Sequence, residues 1–189
     1  MNTDIENLKE CARNLGMQVE KISNVLLDDP KFAIWTGSSI HKHHYGKGGL
    51  AKHTREVVQL CFANIQTLNL NLNLIEVFFA ALFHDSGKMY DYEPSNPEMT
   101  EWANTLHKRT IYHVSRSGLI WSHASKLEPE IDVIYHDAVY HAILAHHCER
   151  DWGSPVSPYS KVAWLVHICD NLSARMDDCN KTDHLKIKE

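Results

Sequence analysis

The chain has 189 residues, enough for one domain with a sizeable core rather than for two. Its 19 basic and 24 acidic residues give a formal net charge of -5, so it is no polycation, and any grip on phosphates must come from a local basic patch or a metal ion. The 5 cysteines are odd in number, widely spaced and never arranged Cys-x-x-Cys, which argues against a disulfide framework, a disulfide partner or a cysteine zinc site.

Neither a basic-plus-apolar leader nor an apolar run of membrane-spanning length is present, and the expectation is a soluble cytoplasmic protein without a membrane partner. In chain order, Ile5, Leu8, Ala12, Leu15, Val19, Ile22 and Leu26 step by three and four. That spacing predicts one amphipathic helix packed on the core over residues 1–30, stopped by Asp28-Asp29-Pro30. Residues 31–180 read as the main domain, and 181–189 as a polar tail. Lys31 to Gly49 is irregular, and a second helix is expected from Gly49 to Leu68. "NLNLNL" at Asn69 to Leu74 alternates like a strand but is short, and is taken as a connection. Ile75 to His84 is nearly all apolar, as in a helix buried on most sides. A loop is expected over Met89 to Thr100, then helices over Glu101 to Ser125, Pro129 to His146 and Tyr159 to Cys179, with a further loop over Cys148 to Pro158. The predicted fold class is all-α: a single-domain bundle of about six main helices.

Histidine is unusually frequent, with 14 copies, and its neutral ring is the commonest protein metal ligand. His53 opens the second helix, His84-Asp85 and His146-His147 end two others, and His107 or His113 sits on a fourth. Asp170 sits inside the last helix. Adjacent residues on a regular helix point about 100° apart, so such a pair converges on one centre only at a helix end. A bundle aiming these side chains inward makes a mixed His/Asp site suited to a divalent ion; Fe, Mn, Zn, Mg, Ni and Co are not distinguished. The dipeptide His-Asp recurs at His136-Asp137, mid-helix and with no glycine after it, and is taken there as a solvated or capping pair.

Four stretches together resemble a known family: "HHYGKGGLAKHT" from His43, "HDSGK" from His84, "AILAHHCERDWGSP" from Ala142 and "HICDNLSARM" from His167. They are similar in order and spacing to HD-domain metal-dependent phosphohydrolases, above all to the HD half of the bacterial 3′–5′ exoribonucleases that join an OB-fold to an HD domain. The resemblance implies that His53, His84, Asp85 and Asp170 hold one metal ion. It implies that Asp85 bridges to a second ion held by His113 and by the His146-His147 pair, as in two-metal members. It also implies catalysis by a metal-activated water, with Asp85 and Lys88 in catalytic roles, Lys88 being placed to meet a non-bridging phosphate oxygen.

Only about thirty residues precede the HD region, and they read as helical rather than as an OB-fold. The expected substrate is therefore a nucleotide or short oligonucleotide. His43, His44, Lys47, Trp35 and Arg109 are the candidate substrate-side residues, with Tyr45 and Trp152 as further aromatics beside the motif loops. Lys42, Lys52, Arg55, Lys108 and Arg116 read as solvated charges. The alternatives are a single-metal nucleotide phosphohydrolase and a non-catalytic HD-fold nucleotide-binding or scaffold protein; a homo-oligomer is compatible with all three.

Overall fold

The computed structural model describes residues 2–181, so most of the expected polar tail lies outside the described residues. The chain opens with α1 (Thr3–Leu15) and α2 (Met17–Leu27). The apolar stripe predicts one helix here. The structure breaks it at Gly16, whose φ of 126° few other residues adopt, so α1 folds back on α2 and both bury their apolar faces. Asp29 then caps a short α3 (Pro30–Ile34), and a loop with four positive-φ residues, His41, His44, Gly46 and Gly48, leads to α4 (Gly49–Thr67).

Asn73 starts α5 (Leu74–Phe83) by accepting hydrogen bonds from the amides of Ile75 and Glu76. Every residue from Val77 to Phe83 has no exposed surface. α5 is the central rod, packed against α2, α4, α8 (His113–Ala124), α9 (Pro129–Ala145) and α10 (Lys161–Lys181). Phe79 and Phe83 stack on Trp121 of α8 with ring centroids 5.0 and 5.5 Å away. Burying each such ring stabilises by roughly 1.5–3 kcal/mol, which is why the apolar run sits at the axis of the bundle.

After α5 come a one-turn α6 (Lys88–Asp91) and a two-stranded antiparallel hairpin of β1 (Tyr92–Pro94) and β2 (Trp102–Asn104), with Tyr92 opposite Asn104. The loop expected over 89–100 and the helix expected from Glu101 are corrected by this hairpin. Trp102 is drawn into the core edge-on to Trp35, 4.9 Å between centroids, and its amide donates to the Tyr45 hydroxyl. Tertiary packing here outweighs local helix preference. The predicted helix also breaks once more: α7 (Leu106–Thr110) is separated from α8 (His113–Ala124) by Tyr112, a non-glycine residue at φ 68°. α9 (Pro129–Ala145) and α10 (Lys161–Lys181) complete an all-α bundle. No helix of the described residues is long and apolar enough to cross a membrane. Cys11, Cys61, Cys148 and Cys169 are free thiols.

Candidate metal centre

The buried run of α5 fixes the position of the two residues directly after it: His84 has no exposed surface and Asp85 has 1%. His53 projects from the second turn of α4, His113 is the first residue of α8, His146 and His147 come after the end of α9, and Asp170 lies in α10. These seven residues form two groups. His53, His84, Asp85 and Asp170 each offer a ligand atom within 4.8 Å of the others, and so do Asp85, His113, His146 and His147. Asp85 belongs to both. Its Oδ2 faces His53 and His84, each Nε2 at 3.4 Å, while its Oδ1 faces His113 at 3.5 Å and His146 at 3.6 Å.

The rings are held from behind. His84 Nδ1–H donates to the Ala81 carbonyl at 2.7 Å, and His146 Nδ1–H donates to the Ile143 carbonyl at 2.6 Å. His147 Nδ1–H donates to the Trp152 carbonyl at 2.7 Å, and His113 Nδ1–H to Asp91 Oδ2 at 2.9 Å. His53 Nδ1 lies 3.0 Å from the Ser173 hydroxyl. With Nδ1 occupied in every case, the five Nε2 atoms turn inward, the arrangement that orients imidazoles around metal ions.

The donor set fits divalent ions. Both Asp85 oxygens and His146 Nε2 are buried with no hydrogen-bond partner, and such orphaned polar atoms are costly unless a cation meets them. Lys88 Nζ approaches Asp85 Oδ2 to 2.6 Å as an ion pair without hydrogen-bond direction. Imidazole and carboxylate together suit Zn, Fe, Mn, Co or Ni.

The electrostatics divide the two groups. Burial opposes a charge on His53, but the hydrogen bond to Asp170 and the negative charges of Asp170 and Asp85 outweigh it and lift its pKa to about 9. Burial would raise the pKa of Asp170, but His53 and the charges of nearby histidines hold it well below the carboxylate range. In the second group, burial pushes His113 down to about 4 despite its bond to Asp91. Burial, reinforced by His146 and His113, takes His147 down to about 2. For Lys88 burial favours the neutral amine, yet Asp85 above all keeps it protonated, with its pKa raised.

A cleft of about 490 Å³ opens over both groups. His43, Lys88, His113, His146, His147 and Asp170 form its floor; Lys42, Lys108 and Arg175 bring further cations to its walls, and Tyr112 and Trp152 aromatic faces. The residues expected on the substrate side divide here. His43 lines the cleft, whereas His44 is buried behind it, with Nε2 on Glu56 at 2.9 Å. Trp35 is in the core and donates Nε1–H to the Tyr92 carbonyl, Lys47 borders a separate groove, and Arg109 is exposed and lines no part of the cleft.

The structure puts His113 in the cluster and His107 outside it. His107 Nδ1 meets Asp91 Oδ1 at 2.8 Å, and its Nε2 accepts from Arg116. Asp137, of the second His-Asp pair, is fully exposed and meets His136 Nδ1 at 2.9 Å, while His136 Nε2 reaches Ser122 at 2.8 Å, away from the cluster.

Sequence reasoning misses Asp91, Ser173, Glu56 and Tyr112, and takes Lys108 for a solvated charge. A signal exists for two of them: Glu56 lies three residues after His53 and Ser173 three after Asp170, so each shares a helix face with a candidate ligand. Asp91 and Tyr112 sit at helix breaks that no periodicity announces.

No solved structure matches the chain. The family model described as HD domain matches residues 50–175, a span that contains all seven residues of the two groups. The chain therefore belongs to the HD domain family, whose members are in general metal-dependent hydrolases.

Proposed function

We propose that the protein is a two-metal phosphodiesterase acting on nucleotides or short oligonucleotides. The observation that carries this is Asp85, a buried carboxylate shared by two groups of inward-facing ligands, one to each oxygen. A carboxylate has two oxygens and can bridge, whereas each imidazole gives one nitrogen to one ion. Divalent ions held by His53, His84, Asp85 and Asp170, and by Asp85, His113, His146 and His147, would acidify a water and neutralise charge on the phosphoryl oxygens.

The chain's own groups supply the rest. The five anchored histidines and Asp170 fix the positions of the ligand atoms. Lys88, at the cleft floor beside Asp85, offers an ammonium to a non-bridging phosphate oxygen. Lys42, Lys108 and Arg175 share the cleft lining with the acidic Asp151 and Asp178, so its field is mixed rather than strongly basic. A site of this size belongs to the range of small-ligand pockets, ~300–1,000 Å³. Few phosphates beyond the reacting one can be neutralised, so affinity should not climb steeply with strand length.

The test is metal analysis of protein purified without chelator, combined with rates on strands of two, five and twenty nucleotides and on mononucleotides. The expected result is about two ions per chain, diester cleavage, and similar rates per molecule across the lengths. Saturation at one ion with full activity on monoesters establishes the single-metal nucleotidase instead. A strong preference for the longest strand overturns the small-substrate reading, and an inert protein with bound nucleotide points to a sensor.

A further inference from the structure

Behind the candidate ligands runs a chain of hydrogen bonds that the metal site itself does not require. Ser173 donates its hydroxyl to Glu56 Oε2 at 2.8 Å. That hydroxyl has one hydrogen, so toward His53, 3.0 Å away, Ser173 can only accept, and the proton of this contact belongs to His53 Nδ1. His53 Nε2 is thereby left facing the cluster. The same Glu56 Oε2 lies 2.9 Å from His44 Nε2, and a carboxylate only accepts, so His44 Nε2 carries a proton. With its one hydrogen on Nε2 toward Glu56, the neutral His44 ring bears its lone pair on Nδ1. That lone pair meets His43 Nδ1 at 3.2 Å, which must then donate.

In the same way, the one hydrogen of the neutral His43 ring sits on Nδ1, toward His44. Its remaining nitrogen, Nε2, is left as an acceptor. Glu56 is ionised: burial would raise its pKa, but the bonds from His44 and Ser173 bring it to about 2. His44 has 3% exposed surface, Ser173 3% and His53 none, so water does not compete for these bonds.

We propose that Glu56 is a positioning residue that fixes the tautomers of two histidines at once: His53 through Ser173, on the metal side, and His43 through His44, on the substrate side. Its consequence for specificity is that His43 Nε2, being an acceptor, takes a hydrogen-bond donor of the ligand, a hydroxyl or an N–H, and turns away phosphate oxygens. The phosphate is left to Lys88. The His53 arm rests on the proposed metal role of that residue; the His43 arm does not.

The experiment uses full-length protein labelled with ¹⁵N-histidine, with the His43 signal assigned from its loss in H43Q. Zinc titrations are run beside the spectra. In wild type, His43 is protonated on Nδ1. In H44F this preference is lost while zinc binding is kept. In S173A the His43 signal is unmoved, and one zinc equivalent binds roughly 10- to 100-fold more weakly, the usual cost of removing a partner behind a ligand histidine. E56A shows the zinc loss and weakens the His43 preference, with Asp177 Oδ1, 3.8 Å from His44 Nε2, left as its only other carboxylate on that side among the described residues. E56Q keeps an oxygen that accepts both bonds and restores both readouts. If E56A does not fold, S173A and H44F decide the two arms separately. An unchanged His43 signal in H44F removes the substrate-side arm, wild-type zinc binding by S173A removes the metal-side arm, and wild-type behaviour of E56A in both readouts overturns the shared role. None of these readouts uses a substrate, so a failure of the phosphodiesterase proposal would appear elsewhere.

Discussion

In the proposed site a proton and a metal ion would compete for the same His53 nitrogen, and the competition can be measured. In the metal-free protein, burial disfavours the charged ring, but Asp170 at 2.9 Å and Asp85 at 3.4 Å lift its pKa to about 9. An ion entering the first group must displace that proton. Between pH 8.5 and 6.5 the apparent affinity of this group should therefore fall about tenfold per unit, roughly 100-fold in all. That corresponds to about 2.7 kcal/mol. His113 and His147, held at about 4 and about 2, are already neutral over this range, so they add no such slope to the second group. Zinc titration calorimetry in two buffers of different ionisation enthalpy counts the protons released. At pH 7 we expect about one proton from His53 with one of the two ions, and none from His113 or His147 with the other. The sign carries over to stability. The raised His53 pKa stabilises the metal-free fold fully below its unfolded value of 6.5 and loses that effect as pH rises through about 9. The depressed Asp170 pKa acts oppositely, stabilising above its unfolded value of 3.8 and failing in acid. Two ions that bind with the same flat pH dependence, or without proton release, would refute the link between His53, Asp170 and the first group.

Asp85→Ala should abolish binding of both ions and all activity, whereas Asp137→Ala, at an exposed position, should change neither; inductively coupled plasma analysis and a diester assay distinguish them. Lys88→Met should leave metal content intact and slow turnover by roughly 30- to 1,000-fold, the value of ~2–4 kcal/mol for one transition-state contact. In the metal-free form the same change strands the buried Asp85 carboxylate, so the melting temperature should drop and recover on adding zinc. Gly87→Ala would place a methyl carbon 2.3 Å from the His113 carbonyl oxygen and 2.8 Å from its Cα, so α8 must shift. The expected cost is about 1–3 kcal/mol in chemical denaturation, with weaker binding at the second group.

The helices and the candidate ligands are legible in the sequence for different reasons. α4, α5, α9 and α10 declare themselves because their burial follows helical period, and α5 because it is apolar all round. His84-Asp85 stands out from His136-Asp137 through its setting, an apolar helix before it and Gly87 after it. Gly16 does not announce a break because the apolar stripe continues in phase across it. The β1–β2 hairpin is set by Trp102 meeting Trp35, a contact between residues far apart in sequence. Trp35 itself shows how an aromatic beside a motif loop can belong to the core: its ring nitrogen is already bonded to the Tyr92 carbonyl. Lys88 can be placed beside the cluster from its spacing, but its burial against Asp85 cannot.

α5 and α9 end alike. Each stops on a histidine, and each ring caps its own helix by donating to the carbonyl three residues back, Ala81 for His84 and Ile143 for His146. The bond that terminates the helix is thus the bond that aims the ring, so these side chains lose their rotational freedom when the protein folds and not when an ion arrives. Ordering a mobile side chain on binding costs on the order of 0.5–1.5 kcal/mol. Here that cost falls on folding, before any ion could bind. Asparagine at either position could still satisfy the carbonyl but offers no imidazole. Replacing these histidines with asparagine therefore separates the end of a helix from the beginning of a metal site.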